Sequence, residues 1–276
     1  MPLDGISRFC FGASYAVALL MELLQLLRPR VAQRLVGIGF GCAGLFAHSI
    51  YLIVQRPSLT SQIGSLLFLT WILAVFYLYG ALHHRELTWG LFVLPLVVGL
   101  VVLTELFPPD SSEWGSWLAP LDELRGQRFW GLLHAALLLL AAVGCCIGFV
   151  ASVMYLVQAH RLRAKTLPGE GPRLWSLERI EQMNRRAVNL AFPLLTAGAL
   201  VGVALMLQRA DQLQGWTDPR ILVTAALWVV LALLLYLRYA GQLAGRRLAQ
   251  LTIVAFVLLV FTLVFAHSLT EPGGVP

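Results

Sequence analysis

The chain has 276 residues, of which 59% are hydrophobic and 12% charged, where a soluble domain carries roughly 25% charged residues. A mean hydropathy of +0.78 puts apolar side chains over most of the outside, a surface that only lipid tolerates, and excludes an ordinary soluble enzyme. The net charge of +6 falls between apolar runs and not on one basic face with stacking aromatics, so membrane lipid is expected as a partner and nucleic acid is not.

The alternation of polar and apolar positions that a transmembrane strand needs is missing, so the expected fold class is all-α: a polytopic transmembrane helix bundle forming a single integral membrane domain over 1–276. Eight apolar runs approach the ~20 residues that a helix needs to cross the hydrocarbon. In chain order they cover 9–27, 35–54, 63–82, 87–107, 130–158, 187–207, 221–237 and 248–269. The first ends in Arg28 and Arg30 without a small-residue cleavage pattern and reads as a retained span. Between the fourth and fifth, Trp114, Trp117, Asp110, Glu113, Asp122 and Glu123 suit a short helix at the interface. After the fifth, a basic stretch and the Pro168–Pro172 breaker lead to Ser176, which can cap a helix carrying Leu177, Ile180 and Met183; a surface helix before span six is expected.

Fourteen of the 20 Lys and Arg residues fall in the connections after spans one, three, five and seven, which sets those connections in the cytoplasm and both termini outside. Cys10, Cys42, Cys145 and Cys146 all lie in apolar stretches without zinc-ligand spacing and read as packing residues. Glu22 stands near the inner end of span one, able to snorkel toward Arg28, and Glu105 near the outer end of span four. Neither is at the midplane, which counts against an ion pump. No GxSxG, HExxH or P-loop motif occurs, so no catalytic residue is assigned.

Ionisable groups are costly in a bilayer, and their depth points to function. His48, His134 and His267 each lie within roughly 10 Å of the outer boundary at 1.5 Å per residue, while His83, His84 and His160 lie at inner ends. Three histidines from distant segments at one depth suit a site built between helices, with imidazole as a ligand to haem iron. Arg125, Arg128 or Arg220 can meet the propionates. The plainer reading of each histidine is an interfacial group bonded to a carbonyl or to water.

The order of residues then becomes informative. From Trp130 to Lys165, WGLLHAALLLLAAVGCCIGFVASVMYLVQAHRLRAK resembles the span of cytochrome c assembly proteins of the CcsA and CcmC type that opens with a histidine at the outer face. LWSLERIEQMNRRAVNLAFPLLTAGALVGVAL resembles the surface helix and next span of the same family in its HemX/YpjD-like branch. The run from Gly215 to Leu269 resembles its last two helices, including the Gly245–Arg247 turn, and the HSIYL of span two and VLPLVVGL of span four fit as well. The resemblance implies a bacterial inner (plasma) membrane protein that assists cytochrome c maturation by binding or handling haem at the outer face. Its implied partners are apocytochrome c and other maturation proteins.

In that family a tryptophan-rich segment flanked by histidines presents the haem. His134 matches the histidine that opens the preceding span, and His267 falls near the family's terminal polar cluster. Of the tryptophan-rich run only Gly215, Trp216, Asp218 and Pro219 remain, with Trp216 as a stacking face and Asp218 beside it. The resemblance thus makes His134, His48 and His267 the iron-ligand candidates. A second reading is a non-catalytic scaffold or regulator that holds a partner through the basic inner loop and the Ser176–Arg186 helix. A third, a small-solute transporter, lacks broken midplane helices and buried charges.

Overall fold

A computed structural model describes residues 7–27, 30–83, 88–105, 127–165, 174–208, 219–241 and 245–268. The described residues form eight helices and no extended strand: α1 (Arg8–Leu27), α2 (Val31–Gln55), α3 (Gln62–His83), α4 (Gly90–Glu105), α5 (Gln127–Arg163), α6 (Leu177–Gln208), α7 (Pro219–Tyr239) and α8 (Gly245–Ser268). Seven of them are long and apolar enough to cross a membrane; α4, at 16 residues, is shorter. The eight expected runs thus recur as eight helices, with bounds shifted by a few residues. The interfacial segment expected between spans four and five lies outside the described residues, as does the Pro168–Pro172 breaker.

One expectation is corrected. The segment after Ser176 is not a separate surface helix; it is the first part of a continuous 32-residue α6. Nothing between Leu177 and Phe192 breaks a helix, since the stretch holds neither Gly nor Pro. Pro193 comes later, inside the helix, where it leaves the Asn189 carbonyl without its ordinary amide donor. Ile180, expected on a membrane-surface stripe, is fully buried.

The chain divides into two compact units. The first holds α1 to α4 together with 161–175, and the second holds α5 up to His160 and α6 to α8. Lipid is as apolar as leucine, so helices in a membrane associate through close van der Waals packing and small residues more than through the hydrophobic effect. In the first unit α2 supplies the small residues. A Cβ on Gly44 would stand 2.9 Å from Cε1 of Tyr15 on α1, and one on Gly41 would stand 2.8 Å from Cε1 of Tyr77 on α3. Helix α3 is buried on most of its circumference, with Leu66, Leu67, Leu73 and Tyr77 fully enclosed. Its start is held by Ser61, whose Oγ accepts from the Gly64 amide at 2.9 Å, an N-cap bond.

The second unit is knit by a polar node. The Asn184 side-chain amide on α6 donates to the Gly148 carbonyl at 3.0 Å, to Ser152 Oγ at 2.8 Å and to Thr252 Oγ1 on α8 at 3.3 Å. Its Oδ1 accepts from Arg238 Nη2 of α7 at 2.5 Å. One side chain therefore touches all three other helices of the unit. Asn184, Ser152 and Thr252 are all buried, and buried polar groups of this kind are costly to leave unpaired.

Candidate functional site

The two histidines singled out from the sequence and fully described by the structure belong to different units, and each has a distinct environment. His48 on α2 has 0% exposure. Its ring stacks on Phe11 of α1, with centroids 4.1 Å apart and planes 2° from parallel. Tyr15 OH stands 3.5 Å from its Nδ1, and Tyr15 meets the ring edge-on. The remaining nitrogen, Nε2, is buried without a hydrogen-bond partner. Phe11 and Tyr15 lie four residues apart, on one face of α1, so their spacing carries both rings to the same histidine. His48 is therefore enclosed by aromatics and not placed at a wet interface.

His134 on α5 is half-buried. Its Nδ1 lies 2.8 Å from the carbonyl oxygen of Gly198 on α6. A carbonyl only accepts, so Nδ1 carries a proton, and in the neutral ring the lone pair is on Nε2. The ring rests over Gly202, where a Cβ would stand 2.7 Å from Cε1 of His134. Two glycines one helical turn apart thus supply, in order, the acceptor that sets the tautomer and the space that receives the ring.

His267 falls in the last turn of α8, and its side chain lies outside the described residues. Trp216 and Asp218 lie outside them as well, as do Arg125, His84 and the side chains of Arg128 and Arg220. His83 stacks on Tyr79 and is exposed, and His160 is exposed too, in keeping with solvated helix ends. Among the described residues no three His, Cys, Asp or Glu side chains gather as a metal site. The cysteines are free, Cys10 and Cys42 exposed and Cys145 and Cys146 buried in α5.

Two arrangements escape a reading by sequence. Glu22 does not snorkel outward: it is buried on α1, and the place of a Cβ on Gly90 lies 2.5 Å from its Oε1 and 2.8 Å from Cε2 of Tyr77. The hydroxyl of Tyr77 and Nε1 of Trp89 are buried without partners in the same unit. Asn184 and Arg238 form the node described above. The only available signal for it was the presence of Ser152, Asn184 and Thr252 beside or within apolar runs, which does not say that they meet.

Comparison with known proteins adds identity to this geometry. The family model described as Cytochrome C assembly protein matches residues 59–272. Proteins named Cytochrome c biogenesis protein CcsA are similar to the chain along most of their length. That of Gloeobacter violaceus is 22% identical, over 75% of this chain and 74% of its own. That of Guillardia theta is 25% identical over 72% and 70%, and that of Mesostigma viride 21% identical over 94% and 92%. No solved structure matches the chain. The matched segment runs from just before α3 to beyond the end of α8 and takes in His134, Gly198, Gly202 and the Asn184 node, and on that extent the chain belongs to the cytochrome c assembly protein family.

Proposed function

We propose that this membrane protein handles haem as cargo during cytochrome c maturation, with His134 as the iron ligand. The observation that carries the reading is the His134–Gly198 bond. A histidine that binds iron through one nitrogen generally has the other fixed by a carbonyl or carboxylate, which sets ring orientation and tautomer. Here the donor side is fixed and Nε2 is the nitrogen left for coordination. Haem supplies an iron that takes an imidazole nitrogen and propionates that pair with guanidinium groups. The imidazole of His134, held by the Gly198 carbonyl, fits the iron; Arg125, Arg128 and Arg220 are the propionate candidates, and their side chains lie outside the described residues.

His48 offers an unspent Nε2 as well, but its ring is closed in by Phe11 and Tyr15. Coordination there requires α1 to move aside. His267 is the third ligand candidate, and Trp216 and Asp218 form a reduced counterpart of the tryptophan-rich haem-presenting segment, consistent with a HemX/YpjD-like branch. The distribution of the arginines supports an outer-face position for His134 with both termini outside, and the reading carries with it a bacterial inner membrane, with apocytochrome c and other maturation proteins as partners.

The test is an absorption spectrum of the purified protein before and after addition of haem. A Soret band that is lost in His134→Ala supports the reading; a wild-type protein that neither carries nor takes up haem overturns it. The retention of only Gly215, Trp216, Asp218 and Pro219 favours a second reading, a scaffold or regulator. On that reading, partner crosslinking depends on the arginine-rich segment and is indifferent to His134→Ala.

A further inference from the structure

The end of the second unit where Asn184 lies carries positive charge that haem handling does not use. Arg185 and Arg186 follow Asn184 on α6, Arg238 stands one residue before the end of α7, and Arg246 and Arg247 open α8. Asn184 bonds to Arg238 near the end of α7, and the carboxylate of Glu181, one turn before Arg185 on α6, lies 3.3 Å from the place of a Cβ on Gly245 at the start of α8, so the three ends meet. The apolar stretch of α7 stops at Tyr239 and that of α8 starts at Gly245, so Arg238, Arg246 and Arg247 stand within a turn of the ends of these spans.

Four of the five, Arg185, Arg186, Arg246 and Arg247, are exposed. Arg238 differs. It is partly buried, spends Nη2 on Asn184 at 2.5 Å, and holds Nε and Nη1 out of solvent with no partner. Arg185 is close enough to repel it, and Glu181 is the carboxylate that attracts it. Topology alone needs arginines only in loops, in water. It does not account for a guanidinium withdrawn between helices onto a buried asparagine, where positive charge is poorly screened.

We propose that this end of the α6–α7–α8 group binds the headgroup of an anionic phospholipid, its phosphate pairing with the exposed guanidinium groups of Arg185, Arg186, Arg246 and Arg247, with Arg238 as fixed charge behind them. Guanidinium suits phosphate through paired N–H donors, and basic clusters between membrane helices bind anionic headgroups. A phospholipid fits better than a free anion because its acyl chains deliver the phosphate to this depth. The adjoining surface suits those chains: Leu233 and Tyr236 of α7 and Val254 and Val257 of α8 are all exposed, and tyrosine favours the interface.

The test titrates the full-length protein, in neutral detergent, with phosphatidylglycerol or with phosphatidylcholine of the same chains. Bound lipid is read by native mass spectrometry and thermal unfolding by intrinsic fluorescence. Phosphatidylglycerol is expected to stay bound and raise the unfolding temperature, phosphatidylcholine and millimolar inorganic phosphate to do neither. Each arginine removed weakens phosphatidylglycerol binding about five-fold, so Arg246→Gln/Arg247→Gln weakens it about 25-fold. Arg185→Gln/Arg186→Gln on α6 is the independent second pair, should the first fail to fold. Arg30→Gln/Arg56→Gln neutralises two exposed arginines that flank α2 in the first unit and leaves binding unchanged. Equal effects of the two lipids, reproduction by inorganic phosphate, or an equal loss in the Arg30/Arg56 variant overturns the proposal.

Discussion

His134 donates its Nδ1 proton to the Gly198 carbonyl at 2.8 Å, and the helix that offers this carbonyl clears space for the ring four residues later. Acceptor and recess sit on the same face of α6, since residues four apart share a face. The imidazole is oriented by backbone alone, with no side chain needed to aim it.

A methyl group at Gly202 would stand 2.7 Å from Cε1 of His134. Gly202→Ala is therefore expected to turn the ring and lower haem affinity by about 10-fold, the lower end of what loss of an orienting partner costs a metal site. His134→Ala is expected to remove the bound band altogether. Haem titration followed at the Soret band checks both. Unchanged affinity in Gly202→Ala would mean that ring orientation is not what the glycine provides.

At His48 two substitutions should part company. His48→Ala empties the space against Phe11 and is expected to destabilise by about 2–4 kcal/mol. His48→Phe keeps the stacked ring and removes the unpaired Nε2, whose burial costs about 1–3 kcal/mol, but also takes Nδ1 from the Tyr15 hydroxyl, so it is expected to stay near wild-type stability. Thermal unfolding in detergent decides. If His48→Phe is as damaging as the alanine variant, the Tyr15–His48 contact and not the ring stacking holds this site.

Asn184→Ala strands Arg238, whose one bond is to Asn184, while Ser152 and Thr252 keep their bonds to the Gly148 and Leu248 carbonyls; it is expected to cost about 2–4 kcal/mol. Adding Arg238→Met should recover part of that loss, because the unpaired guanidinium is then gone and the two effects are not additive. The four unfolding temperatures of this double-mutant cycle measure the coupling. Additive losses would show that Asn184 and Arg238 do not depend on each other.

Glycines with and without neighbours should also diverge. A Cβ on Gly64 would run into the Ser58 backbone carbonyl, while one on Gly39 meets nothing within 4 Å. Gly64→Ala is expected to destabilise by more than about 2 kcal/mol, and Gly39→Ala to stabilise by up to about 1 kcal/mol through helix propensity. Similar unfolding temperatures for the two would contradict the packing around Ser58.

The helices were legible in the sequence because a bilayer demands long uninterrupted apolar runs, and each run had its polar punctuation. The junction at α6 misled because Asn184, Arg185 and Arg186 look like a boundary by polarity, although polarity does not end a helix and Pro193 comes later. The burial of His48 was not legible either. Depth along α2 follows from counting residues, but the direction its ring faces depends on Phe11 and Tyr15 of another helix. The same holds for Glu22, which counting puts near an end and packing turns inward toward Gly90. The place of His134 at the start of a span is itself a sequence feature, whereas its acceptor, 64 residues away, is not.

Asn184 stands 14 residues before Gly198 on α6, about 21 Å along the axis. Because one amide is shared among four helices there, spreading them at that level would strand several buried polar groups at once. Toward Gly198 and Gly202 the inter-helix polar contacts are pairwise instead: Trp228 of α7 donates to Thr196 Oγ1 at 2.9 Å, and His134 of α5 to the Gly198 carbonyl at 2.8 Å. The second unit is therefore cross-linked most densely at the level of Asn184, while the end that carries His134 is held by separate pairwise contacts.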